Sequence, residues 1–243
     1  VLIPDHTGAW SKNLGGAAMG YFIGGSIAAA AVNTMSIPML TVPALSQHTT
    51  YADAFSTTLT AWKDTWVNQG VLRDITRLKD KDANPLQEID SVPGLREALI
   101  TAAEDGRTMD TEIHQIMGLS QGGILSKSRN VQRAINTWMA PFKVAEQTNR
   151  ITTFIAAYKV GQKNNLSGRK LYDFAAGMVD ATQNRYDEVN RPAAARNPIW
   201  AIMFMFKSFP IFMTEAIALM YKQNPKSAVY MLLGLTMMSG IQG

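Results

Sequence analysis

Between Asn13 and Ala52 the chain carries no Asp, Glu, Lys or Arg, and this stretch constrains the fold more than any other feature. Its first part, residues 14–32, reads LGGAAMGYFIGGSIAAAAV, about as long as a bilayer-spanning helix needs to be. Gly16, Gly20, Gly24 and Ala28 recur every four residues, so they line one helix face with almost no side chain. Such a stripe lets a second helix approach to backbone contact. Each glycine costs roughly 1 kcal/mol against alanine in a helix, so an isolated soluble helix would not be built this way. Close packing in an oligomer or a membrane is the expected compensation, with these four residues as the oligomerisation surface. Pro38 and Pro43 end the span near Ile37.

Beyond that stretch the periodicity is helical throughout. Tyr51, Phe55, Leu59, Trp62, Trp66 and Val67 recur at spacings of three, four and one, predicting an apolar face on a helix within 45–80. The run RDITRLKDKD from Arg73 to Asp82 alternates charge and predicts a solvent-facing helix end, closed by Asn84-Pro85. Two short helices are expected over 91–119, the second capped by Thr108, followed by a flexible joint at GLSQGG, 118–123. A long helix then carries Ile135, Trp138, Met139, Phe142, Ala145, Asn149, Thr152 and Ala156 and ends near Gly161. Ser167 is placed to cap the next helix, which buries Leu171, Phe174, Ala175, Met178 and Val179. The closing segments, 199–221 and 227–243, are apolar and joined at Asn224-Pro225, predicting a helical hairpin in or along a membrane. No β alternation of useful length appears. The expected fold is all-α: an extended multi-helix assembly with several Gly/Ala-rich or membrane-competent helices and no sheet.

Charge divides the chain. Residues 1–120 hold 8 Lys/Arg and 13 Asp/Glu, net −5, whereas 121–243 hold 15 and 6, net +9. The expected organisation follows this switch: a glycine-rich apolar helix with acidic amphipathic helices in 1–120, and a basic helical region with the apolar hairpin in 121–243. Arg185 and Arg196 lie between apolar segments and Lys207 within one, and all three suit phosphate or lipid headgroups, with salt-sensitive contact and no base reading. The chain begins at Val1 without a methionine and stops at Gly243 within an apolar run, so it is expected to be an excerpt of a longer polypeptide.

Catalytic signals are absent from the sequence. There is no cysteine, and His6, His48 and His114 are isolated, so neither a thiolate nor a metal-ligand spacing is present. No Gly-rich phosphate loop, nucleophile elbow or nucleophile–base–orienter set appears. No cofactor, metal or catalytic residue is expected. Glu146 lies four residues before Arg150. The pair reads either as a charge clamp buried between helices or as an exposed pair worth about 0.3–0.5 kcal/mol, and composition favours the exposed form.

Three segments carry a family resemblance. EQTNRITTFIAAY from Glu146, YDEVNRPAAARNPIWAIMFMFKSFPIFM from Tyr186, and the closing SAVYMLLGLTMMSGIQG resemble, in the same order, the C-terminal region of very large phage internal virion proteins of the polyvalent, PLxRFG type. The likeness covers roughly residues 138–243, and the PLxRFG motif itself does not occur in the chain. Glu146, Asn149, Arg150, Asn190, Arg191 and Pro192 are the motif positions. The resemblance implies helix packing and assembly for them, and no catalysis. It also implies a protein stored in the capsid interior, portal or tail region and delivered to the host envelope with the genome. Some relatives of this type carry a virion RNA polymerase or a peptidoglycan lyase elsewhere in the chain. The expected partners are further copies of the chain, other ejection, portal or tail proteins, the host membrane, and phage DNA through non-specific contact. The alternative is an integral membrane channel or transporter fragment, which the charged middle, 71–112, fits poorly.

Overall fold

Every regular element among the described residues is a helix, as the missing β alternation predicts. The computed structural model describes residues 30, 33–108, 129–183, 214–215 and 217–241. The chain separates into two compact units that interleave along the sequence: Val1–Asn33, Asp110–Glu146 and Asn184–Met213 form one, and Thr34–Met109, Gln147–Gln183 and Thr214–Gly243 form the other.

The second unit begins with a π-helical turn, Ile37–Thr41, that runs directly into α1, Val42–Leu45. It continues through α2 (Tyr51–Val67), α3 (Gln69–Leu72), α4 (Ile75–Lys79), α5 (Gln87–Asp90) and α6 (Leu95–Glu104). In the first unit, α7 (Arg129–Trp138) precedes the opening turns of α8 (Ala140–Lys163), where Lys143 Nζ donates to Asn136 Oδ1 at 3.0 Å. Residues 147–163 of α8, α9 (Gly168–Thr182) and α10 (Pro225–Ile241) belong to the second unit.

The boundaries follow from local chemistry. Thr50 accepts from the Asp53 N–H to cap α2, and Asp74 accepts from the N–H groups of Thr76 and Arg77 to cap α4. α8 ends in a Schellman turn: Leu166 N–H returns to Gly161 O at 3.0 Å and Asn165 N–H to Gln162 O at 2.9 Å. Asn165 takes the left-handed position there, φ 59°. The helix therefore runs two residues past Gly161, where the sequence predicts its end. Gly161 has another role, since a Cβ on it would lie 2.6 Å from Leu171 Cδ1, so α8 and α9 touch where it has no side chain. Ser167 does precede α9, though its hydroxyl makes no capping bond. Leu171, Ala175, Met178 and Val179 are buried on α9 as predicted, and Phe174 is half-buried. Asn224-Pro225 starts α10, with Asn224 Oδ1 accepting from Lys226 N–H.

Two packing styles share this unit. Across 69–108 the core is aliphatic: Leu72, Leu78, Leu86, Ile89, Leu95 and Leu99 are buried beneath a charged exterior. Arg96 ties the segment together from inside. Its guanidinium pairs with both carboxylate oxygens of Asp90, at 2.6 and 2.9 Å, and donates to the carbonyls of Leu78 and Asn84. Burial alone would raise the Asp90 carboxyl, but the bonds from Arg96 and from the Leu86 N–H outweigh it and hold the group below its ordinary value.

On α2, which packs against α8, the arrangement is reversed. On α2 the buried residues are Ala54, Thr57, Thr58, Ala61, Asp64 and Thr65, whereas Tyr51, Phe55, Leu59 and Val67 are exposed. Tyr51, Phe55 and Leu59 thus share the apolar face their spacing marks, but that face is exposed; Trp62 and Trp66 are half-buried. The small face allows α2 to approach α8 closely, and bulky rings there would hold the two helices apart.

No helix among the described residues is long and apolar enough to cross a membrane. The glycine stripe Gly16, Gly20, Gly24 and Ala28, the joint at 118–123 and the first apolar arm from 199 to 213 lie outside the described residues.

Candidate functional site

Residues 147–163 of α8 are the structural hub of the second unit. Ile151, Phe154, Ile155, Ala156, Ala157 and Val160 are at most 1% exposed. Phe154 is flanked by the rings of Tyr158 and Tyr172, with centroids 6.3 and 6.0 Å away. What sets this helix apart is its buried polar residues. Gln147, Thr148, Asn149, Arg150, Thr152 and Thr153 are all buried beside those apolar groups.

Apart from Thr148, whose hydroxyl has no hydrogen-bond partner among the described residues, their partners come from nearly every surrounding element. Arg73 Nε donates to Gln147 Oε1 at 2.7 Å, and Asn149 Nδ2 to Ser36 Oγ at 2.9 Å. Arg150 reaches the Arg107 carbonyl at 3.5 Å. Thr152 donates to Thr65 Oγ1 at 3.3 Å, and the Thr153 and Thr41 hydroxyls share a bond of 2.8 Å. Further along, Tyr158 and Gln162 both donate to the Pro93 carbonyl at 3.1 Å, and Lys159 pairs with the buried Asp64 at 3.3 Å. A hydroxyl pair of this kind nets only about 1 kcal/mol, yet stranding one partner in the interior costs about 1–3 kcal/mol. The seam therefore fixes which surfaces meet more than it adds stability.

α10 repeats the theme. Its buried side presents Ser227, Ala228 and Met231, and Gly234 lies against Met39, where an added Cβ would stand 3.7 Å from its Cγ. The Ser227 hydroxyl bonds Ser46 Oγ at 2.9 Å. Its outer side carries Val229, Tyr230, Leu232 and Leu233, between 36% and 52% exposed. Tyr230 meets Tyr51 of α2 with ring centroids 4.3 Å apart, so the exposed faces of α2 and α10 join into one apolar surface.

A second polar cluster lies where α6 ends. The Arg107 guanidinium pairs with Asp180 of α9, and the Tyr172 hydroxyl donates to Asp105. Burial first, and then the bond to Asp105, push the Tyr172 phenol up to about 12. Burial also raises Tyr158. Both phenols line an open groove of about 600 Å3 between α6, α8 and α9, with Pro93, Ala98 and Leu171 on its walls. Raised phenols are protonated donors at neutral pH and poor nucleophiles. Among the described residues no three His, Asp or Glu side chains are grouped to hold a metal ion.

Of the residues singled out from sequence, Glu146, Asn149 and Arg150 are described, and all are buried. The expectation that Glu146 and Arg150 form a surface pair is corrected by this burial: a charge on the inner face of the hub costs too much to be left without polar neighbours, and Arg150 has one in the Arg107 carbonyl. Arg185, Asn190, Arg191, Pro192, Arg196 and Lys207 lie outside the described residues. The sequence reading missed the threonine seam and Arg96. A signal existed for the seam, since Thr57, Thr58 and Thr65 keep to one face of α2. Arg96 had none, because its partners are brought in by the loop from Leu78 to Asp90.

Comparison of the chain with known protein families, with curated proteins and with solved structures finds no match.

Proposed function

We propose that the chain is a structural, oligomeric segment of a phage internal virion protein, held in the capsid interior, portal or tail region. Delivered with the genome, it helps to form a conduit across the host cell envelope. The observation that carries this reading is the burial of the motif helix. Glu146, Asn149 and Arg150 sit inside, and Asn149 and Arg150 bond to other elements of the second unit instead of lining a cleft. That is the position expected of residues kept for packing and assembly. The inverted surface of α2 and α10 supports it too, since such a face finds cover against sister subunits or lipid. In this role the segment is no enzyme and needs no cofactor. It works with further copies of itself, with other ejection, portal or tail proteins and with the host membrane, and touches DNA only through phosphate.

The test is made on particles. Peptides from 1–243 are expected in purified virions by mass spectrometry, and are expected to be lost from them once genome release is triggered. Their absence from intact particles, or their retention in emptied ones, would overturn the proposal.

A further inference from the structure

We propose that the joined outer faces of α2 and α10 are a bilayer-contact surface, seated in the headgroup–acyl boundary of an anionic leaflet. The inference deepens the conduit reading by naming the residues that meet lipid, and it can fail while the virion role stands.

The packing rule is the first argument. Helices in water bury large apolar side chains and expose small polar ones, because apolar burial drives their association. Helices surrounded by hydrocarbon have no such drive. They meet through small residues and hydroxyl bonds, and turn large apolar groups outward. α2 follows the second rule, and α10 follows it apart from the buried Met231. Ala54, Ala61, Thr58 and Thr65 face inward on α2 while Tyr51, Phe55 and Leu59 face out. Ser227, Ala228 and Met231 face inward on α10 while Val229, Tyr230, Leu232 and Leu233 face out. The hydroxyl bonds Thr152–Thr65, Thr153–Thr41 and Ser227–Ser46 supply the polar contacts between elements.

Charge is the second argument, and it selects lipid over another copy of the chain. From Ser227 to Gly243 there is no charged residue. Among the described residues, Lys63 on α2, Lys222 just before α10 and Lys226 at its start are exposed. Of the carboxylates on these helices, Asp53 is held by Lys163 at 2.5 Å and Asp64 is buried against Lys159. Glu215 is exposed, at the start of the described run before α10. An apolar face with exposed lysines at its helix ends and Tyr51 and Tyr230 in contact on its surface matches the headgroup level of an anionic membrane. A 17-residue helix such as α10 is about 25 Å long, so it lies along the interface.

Because the chain has no cysteine, single substitutions can be spin-labelled without background. F55C and L233C report on the face, and K81C reports on the exposed surface of 69–108. Binding to vesicles alone would not discriminate, since residues 14–32 and 199–213 are apolar enough to attach the chain by themselves. Depth does discriminate. On adding vesicles of phosphatidylcholine and phosphatidylglycerol, labels at 55 and 233 are expected to gain collisions with oxygen and lose them with an aqueous nickel chelate. The label at 81 should keep its aqueous ratio. The inference is overturned if 55 and 233 remain as aqueous as 81. It is equally overturned if they are shielded from both reagents with or without vesicles, the signature of a second copy on the face.

Discussion

Residues 69–108 and the elements gathered around α8 belong to one compact unit, but they solve the burial problem in opposite ways. In the first, leucines fill the interior and charge covers the outside, with Arg96 admitted only because four acceptor atoms receive it. In the second, α2 and α10 meet their neighbours largely through threonine, serine and alanine and leave Tyr51, Phe55, Leu59, Tyr230, Leu232 and Leu233 outside, while α8 itself buries Ile151, Phe154 and Ile155. The first style draws its stability from apolar area. The second draws specificity from paired hydroxyls and leaves apolar area available for something else. A unit built both ways can stay folded through its leucine core while its outer face changes surroundings.

The largest effect that sharpens this contrast is expected at Arg96. R96A strands Asp90 and the Leu78 and Asn84 carbonyls in the interior, and breaking a buried pair of this kind costs about 3–5 kcal/mol. Urea denaturation of the chain should show the loss, and an unchanged midpoint would remove the clamp from the account. L99A in the same core should cost about 2–5 kcal/mol by cavity formation.

In the hydroxyl seam the pattern of effects matters more than their size. T153V alone strands the Thr41 hydroxyl and should cost about 1–3 kcal/mol, whereas T41V with T153V removes both partners and should be nearly neutral. A double variant as unstable as the single one would show that the seam is held by packing and not by its bonds.

Acid offers a third comparison. Asp90 and Asp53 both have carboxyls held below their ordinary value. For Asp90 the bonds from Arg96 and the Leu86 N–H overcome the effect of burial, and for Asp53 the bond from Lys163 leads. Their contribution is complete above the ordinary carboxylate range and disappears as pH falls through the lowered values. At the alkaline end, Tyr172 contributes below its unfolded value of 10.0 and loses that contribution as pH rises towards about 12. Thermal melts across both limits should show D90N abolishing part of the acid transition and Y172F part of the alkaline one.

The smallest effect on stability is expected on the outer face. F55S and L59S remove exposed apolar groups, so stability in water should move within about 0.5 kcal/mol. A loss of several kcal/mol would mean that the face is covered within the folded chain, and the contrast between the two regions would collapse.

Much of the helical plan was legible. Asn84-Pro85 and Asn224-Pro225 are breaks, and α9 buries the side its periodicity marks, whereas the Thr50 and Asp74 caps emerge only in the structure. On α2 periodicity correctly groups Tyr51, Phe55 and Leu59 into a stripe, but the stripe faces outward. Spacing says which residues share a face; it does not say which face meets the protein.

The amino-acid sequence by itself determined that the chain is helical, where most helices break, and that α8 carries an unusual run of polar residues, because these depend on short-range sterics and hydrogen bonding. Only the tertiary structure decided that the polar run is buried, that Arg96 closes the loop from Leu78 to Asp90, and that α2 and α10 turn their large side chains outward. Those outcomes rest on partners distant in sequence, such as Thr41 with Thr153 or Ser46 with Ser227. A side chain's cost of burial is set by the partner it meets there, and no local pattern records that partner.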